Sequence, residues 1–156
     1  MHIRPMTAAD RQRVIQIIES IPEFKSIEVP VAIELVDSYL ANPYTSGYFI
    51  LVAEIDSSIA GYICYGPTPL TMGTWDIYWI AVDPNKQRQG VGKALYAYTE
   101  DNIKKDLGRM IMIETSSSEE YENTRHFHKS QGYQVVCQIS DFYAVGDDKI
   151  VLKKTL

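Results

Sequence analysis

The spacing of apolar residues alternates between a helical and an extended period along the chain. Ile3–Met6 is a short strand candidate. Thr7-Ala8-Ala9-Asp10 then has the form of a capping box, with Thr7 placed to accept from the first turn and Asp10 facing the helix N-terminus. Val14, Ile15, Ile18 and Ile21 recur at helical spacing until Pro22 ends the run. A second helix is predicted from Pro30, a residue suited to the first helical position, burying Ile33, Val36 and Leu40 and stopping at Asn42-Pro43. The period then shortens. Tyr48–Ile55 and Ile59–Tyr65, rich in β-branched and aromatic residues and joined through Asp56-Ser57-Ser58, read as an antiparallel hairpin.

Gly66-Pro67-Thr68-Pro69 breaks that second strand, and Trp75–Val82 is a nearly all-apolar, central strand. A polar loop after Asp83-Pro84 leads into a helix from about Val91 to Leu107, with Gly108 placed to cap it. Met110–Thr115 reads as another buried strand and Glu119–Gln131 as a helix, with Gly132 behind it. Two last strands, Tyr133–Ile139 and Lys149–Lys153, flank a Ser140–Asp148 loop. The order β-α-α-β-β-β-α-β-α-β-β predicts one mixed sheet with helices on both faces, an α/β fold of the α+β type. With no repeat, low-complexity tract or linker, residues 1–156 are expected to form a single domain.

Composition narrows the function. The 156 residues are 46% hydrophobic and 22% charged, as in an ordinary globular protein. The 15 basic and 20 acidic side chains leave a net charge of −5, which argues against a general nucleic-acid binder. No continuous apolar run is long enough to span a membrane, and Met1-His2-Ile3-Arg4-Pro5 lacks the pattern of a signal peptide. Cys64 and Cys137 lie far apart in strand-like runs and read as reduced core thiols of a cytoplasmic protein.

The most informative stretch is Gln87-Arg88-Gln89-Gly90-Val91-Gly92-Lys93, where a strand ends and a helix starts. Unpaired N–H groups at a helix N-terminus, with the partial positive charge of the helix dipole, suit an anion. Glycines let a phosphate approach the main chain closely. Lys86, Arg88 and Lys93 add formal charge. The same two glycines also fit a strand–helix turn that needs them only for its dihedrals. A Walker A loop would need glycine at position 87 and Ser or Thr after the lysine, where Gln87 and Ala94 stand. A dinucleotide fingerprint would need a third glycine in place of Leu95.

Gln87-Arg88-Gln89-Gly90-Val91-Gly92 resembles the Q/R-x-x-G-x-G/A loop of the GNAT acetyltransferase superfamily. The resemblance extends over nearly the whole chain: the Ile-Arg-Pro-Met-Thr-Ala-Ala-Asp opening, the hairpin with Gly61, the strand Tyr78–Pro84, and Phe127 to Gly132-Tyr133. It implies a mostly antiparallel twisted sheet of about seven strands with four helices, whose central strands splay apart around acetyl-CoA. It also implies that the pyrophosphate sits on the N–H groups from Arg88 to Lys93, with Gln87 and Gln89 beside them. The pantetheine arm would follow the backbone of Ile80, Ala81 and Val82. The family's helix asparagine is out of register here, with Asn123 offset by two.

Acetyl transfer to an amine requires a base, because an alkyl ammonium has a pKa of about 10. It also requires a donor for the developing oxyanion and an acid for the departing thiolate. Asp76, six residues before Val82, and Glu114, at the end of the following strand, are the candidate bases. Each can equally be a strand-end carboxylate facing solvent or paired with a cation. Where family members carry a tyrosine this chain has His128, which reads as an acid, as a donor to the CoA sulfur, or as a polar residue on a half-exposed helix. Tyr143 and Tyr133 are substitutes for the acid. Neither cysteine lies in the motif regions, so a covalent acetyl-cysteine is not expected. His126 and His128, two apart on a helix, point to nearly opposite faces, so no metal site is expected. The resemblance places Phe24, Tyr44, Tyr65, Asp141, Phe142 and Tyr143 on the acceptor side, suiting a small-molecule or peptide amine, with a homodimer permitted. The alternative readings are a non-catalytic acyl-CoA-binding regulatory module of the same fold, or transfer to an alcohol or of a larger acyl group.

Overall fold

The computed structural model describes residues 1–156 and sets seven strands in one sheet of order β1-β2-β3-β4-β5-β7-β6. In chain order these are β1 (His2–Pro5), α1 (Arg11–Ser20), α2 (Glu28–Ala41), β2 (Phe49–Ile55), β3 (Ser58–Pro67), β4 (Thr74–Val82), α3 (Val91–Lys105), β5 (Met110–Ser116), α4 (Glu122–Ser130), β6 (Gln134–Ala144) and β7 (Asp147–Thr155). Every neighbouring pair is antiparallel except β4 and β5. No helix is long and apolar enough to cross a membrane.

Side-chain alternation on β2 explains why both faces need cover. Ile50 and Val52 point to α1 and α2, where they pack with Val14, Ile17, Ile18 and Val36. Leu51 and Ala53 point the other way, to a cluster with Leu95, Tyr96 and Ile103 of α3 and Ile111, Ile113 and Leu152 of β5 and β7. Each fully buried branched side chain contributes about 1.5–3 kcal/mol relative to exposure. The cluster beneath α1 and α2 draws its strand residues from β2, β3 and β4. The sheet face formed by β5, β7 and β6 lies beyond it.

β4 and β5 pair only from Thr74–Met110 to Ile77–Ile113. Opposite β3, Cys64 pairs with Trp79 but Tyr65 with Ile77, so Tyr78 is an extra residue, a β-bulge that bends the strand. From there β4 runs on beside β3 to Val82 while β5 follows β7 to Ser116. The central strands therefore part, opening a wedge in the sheet.

Several local expectations change. α2 starts at Glu28, not Pro30, because the Glu28 carboxylate accepts from Lys25 N–H (2.7 Å) and caps the turn; Pro30 lies in that first turn, where its missing N–H has no partner to lose. Ile17, rather than Ile15, faces the core of α1. The left-handed residue closing α3 is Leu107 (φ 59°), and Gly108 N–H instead bonds Ile103 O at 2.8 Å. The predicted helix over 119–131 begins as a single 3-10 turn, Glu119–Tyr121. The Ser140–Asp148 stretch is mostly strand, the end of β6 and the start of β7, rather than loop; its register is irregular from Ile139 to Ala144, and Ala144 pairs with Asp147 around a turn at Gly146 (φ 81°). Its polar residues imitate a loop, but Asp141 takes a left-handed bulge and its carboxylate accepts from Gly146 N–H (2.7 Å). Cys64 is buried as expected. Cys137 is exposed, because β6 is an edge strand without a covering helix.

Candidate active site

Two adjoining cavities fill the wedge. The first, about 400 Å³, lies at the start of α3 and is lined by Ile21, Phe24, Ile80, Ala81, Val82, Gln87, Arg88, Gly90, Val91, Gly92, Lys93 and Asn123, among others. The second, about 660 Å³, lies between α2 and the parted strands. Phe24, Ile80 and Thr124 line both, so the two share a wall.

The first cavity is shaped by backbone. The Asp83 carboxylate accepts from Asn85 N–H (2.9 Å) and from Arg13 of α1, fixing the turn that leaves β4. Arg88 (φ 61°) and Gly90 (φ 80°) are both left-handed, which folds the chain into a concave loop. Amides pair again at Ala94 N–H to Gly90 O (3.0 Å); from Gln87 to Lys93 no amide donates within the chain. A run of free N–H groups at a helix N-terminus fits a polyanion such as a pyrophosphate. A Cβ on Gly92 would come within 2.8 Å of the Phe127 ring, so glycine lets α4 pack against this turn. Gln89 is the one predicted loop residue outside the lining; its side chain turns back toward Asn85 O.

The second cavity is built from side chains of distant elements. Phe24, Lys25, Glu28 and Val31 come from α2 and the turn before it. Asp76, Tyr78 and Trp79 come from β4, Glu114 and Ser116 from β5, Tyr121, Thr124 and His128 from the α4 region, and Tyr143 from β6. Asp76 is half-buried and accepts from Thr68 Oγ1. Desolvation, opposed by that hydrogen bond and aided by the nearby Glu114 charge, raises its pKa above the usual aspartate value. Glu114 is the more exposed of the two and pairs with Lys149 at 2.7 Å, so it is not the desolvated carboxylate of the pair. Tyr121 O–H donates to both Glu28 carboxylate oxygens (2.8 and 2.9 Å), and Lys25 pairs with Asp147 (2.7 Å). Glu28 and Asp76 are thus held by hydroxyls, with no cation at bonding distance. Burial raises the Tyr143 pKa, with Glu114, Asp147 and Glu28 adding to the effect.

His128 is not half-exposed. It is 3% exposed, its Nδ1 lies 2.6 Å from Tyr96 Oη, and burial lowers its pKa to about 4. Tyr133 is buried on the α3 face, donates to Glu100 (3.2 Å), and lines neither cavity. Of the predicted acceptor-side residues only Phe24 and Tyr143 line the second cavity. Tyr44 stands free in solvent, and Tyr65 is core, stacked on Phe49. Phe142 lies outward under Lys149, and Asp141 serves the hairpin turn. Glu28, Tyr78, Trp79 and Tyr121 were missed by sequence reasoning. Trp79 and Tyr78 lie in a strand whose nearly all-apolar sequence predicts a central position, and the bulge that turns them has no sequence mark.

The family model for the GNAT acetyltransferase domain matches residues 46–135, the segment carrying the wedge and the free-amide loop. A crystal structure of a Desulfovibrio desulfuricans protein assigned to the GNAT acetyltransferases superposes with a TM-score of 0.94 at 39% identity, over 99% of this chain and 98% of that one. The chain belongs to the GNAT acetyltransferase family. An aminoglycoside 6'-N-acetyltransferase complexed with coenzyme A shares the GNAT fold at TM-score 0.78 and 16% identity, covering 99% of this chain and 97% of that chain. A ribosomal-protein-alanine N-acetyltransferase from Brucella melitensis does so at 0.80 and 22%, over the full length of both. No curated protein matches the sequence. As a GNAT acetyltransferase the chain has the seven-stranded, mostly antiparallel sheet and the parted central strands that its loop motif implied.

Proposed function

We propose that the protein transfers the acetyl group of acetyl-CoA to a primary amine of a small molecule or peptide, by direct attack while both are bound. The observation that carries this reading is the adjacency of the two cavities: a loop of free amides lies across the shared wall of Phe24, Ile80 and Thr124 from a pocket with a half-buried carboxylate. When bound, acetyl-CoA supplies an activated acyl carbon at that junction. The amides from Gln87 to Lys93 hold its pyrophosphate, and the backbone of Ile80, Ala81 and Val82, free of β5, lines the path of its arm.

Asp76 is the base. Its raised pKa brings it closer to the proton it must remove, directly or through a water. Glu114, salt-bridged to Lys149, shapes the field around it rather than taking the proton. Tyr143 faces the same cavity and can return a proton during turnover. The carboxylates of Glu28 and Asp76, beside the rings of Phe24, Tyr48, Tyr78 and Trp79, suit a cationic amine bearing apolar bulk. An exposed free Cys137 accords with a reducing, cytoplasmic setting.

The test is release of free thiol from acetyl-CoA across a panel of primary amines. Turnover with at least one amine, abolished in Asp76→Asn, is the expected result. Tight CoA binding with no thiol release from any amine would instead identify a non-catalytic acyl-CoA-binding module.

A further inference from the structure

His128 lines the acceptor cavity from α4, yet almost none of its surface is exposed. Its Nδ1 lies 2.6 Å from Tyr96 Oη, and that contact is the one hydrogen bond Tyr96 makes through its side chain. Tyr96 is 1% exposed. A phenolic O–H left without an acceptor in such a place costs about 1–3 kcal/mol, so Tyr96 donates and Nδ1 accepts. A neutral imidazole carries a single ring hydrogen, which must then reside on Nε2. Nε2 has no partner within the chain. The sealed, unpartnered side-chain atoms are the oxygens of Tyr62, Thr99 and Thr115, and Nε2 is not among them. It opens onto the cavity.

We infer that Tyr96 is a positioning residue: its hydroxyl fixes His128 as the Nε2–H tautomer, so that a neutral imidazole presents a fixed donor to the sulfur departing from the thioester. This rests on the acetyltransferase reading above. As the amine nitrogen bonds to the carbonyl carbon, the carbon–sulfur bond breaks and its electron pair stays on sulfur. The amine proton passes to Asp76. The Nε2–H hydrogen-bonds the thiolate without leaving the ring, and the thiolate takes its proton from water on release. Full transfer from Nε2 would draw the Tyr96 proton to Nδ1 and leave a phenolate in a dry site near Glu100, which the surroundings oppose.

Glutamine makes the test sharp. Its amide accepts through oxygen and donates through nitrogen, so Gln at position 128 can offer a comparable donor but cannot serve as an acid. His128→Gln is expected to keep kcat about tenfold above that of His128→Leu. His128→Leu, which lacks the donor, is expected to lose about thirtyfold, the worth of a hydrogen bond to a charged group. Tyr96→Phe is expected to lower kcat about tenfold with KM for acetyl-CoA unchanged. The tautomer is read separately, by 15N NMR of the histidine-labelled free protein, with His128 assigned by its loss in His128→Gln. The expected spectrum shows one protonated nitrogen, Nε2, and Tyr96→Phe gives a mixture. A protonated Nδ1 in wild type, a spectrum indifferent to Tyr96→Phe, or folded His128→Gln as slow as His128→Leu would each overturn the inference. Absence of turnover in wild type would overturn the functional reading instead, while the NMR result still decides the tautomer.

Discussion

The two halves of the site are made of different material. The anion loop is main chain: contiguous residues, free amides from Gln87 to Lys93, and two left-handed positions that curve them inward. The acceptor pocket is side chain, assembled from α2, β4, β5, α4 and β6, and its carboxylates are positioned by partners far away in sequence, as Glu28 is by Tyr121. Main chain recognises what all CoA esters share, whatever side chains surround it. A pocket of separate side chains can be altered one contact at a time, and on the proposed reading acceptor choice resides there.

Mutations that treat the halves differently would break or sharpen this contrast. The largest expected effect is at Asp76. Asp76→Asn should lower kcat/KM about thousandfold, the range of a lost general base, while CoA affinity by calorimetry stays unchanged. Because its pKa is raised, the wild-type acid limb of kcat/KM should lie above an ordinary aspartate's: the base works ionised, so activity falls as pH drops through that value. Removing the neighbouring charge in Glu114→Gln should move the limb to lower pH. Next comes Gly92→Ala, whose Cβ would meet the Phe127 ring at 2.8 Å; CoA affinity should weaken about tenfold with the pH profile intact. Glu28→Gln should raise KM for a cationic amine about fivefold at unchanged kcat. The smallest effect is expected of Arg88→Ala, about threefold in CoA affinity and less at high salt, because the loop grips through amides rather than through this exposed side chain. A hundredfold loss there would show that side-chain charge, not backbone, holds the anion.

The same contrast decides what could be read in advance. The loop was legible because its chemistry is contiguous: two glycines after a strand and before a helical period state a geometry locally. So were the seven strands and their succession along the chain, since each element carries its own period. The acceptor pocket was not legible, because its neighbours meet only in three dimensions. No spacing pairs Glu28 with Tyr121, or shows that Lys149 neutralises Glu114 and leaves Asp76 as the desolvated carboxylate. Tyr65 and Tyr44 are aromatic like Tyr78, yet of these three only Tyr78, the extra residue at the bulge after Ile77, lines the cavity. In β6, Ser140 and Asp141 looked like turn residues because hairpin bulges and loops draw on the same amino acids.

The contact between β4 and β5 ends at Ile77 and Ile113, and their parting is built into the fold by the pairing of β4 with β3 and of β5 with β7. Entry therefore requires no prior separation of a closed sheet. Arrival of a thioester carrier should be limited by diffusion, orientation and salt rather than by a slow gating step, with on-rates proportional to ligand concentration throughout.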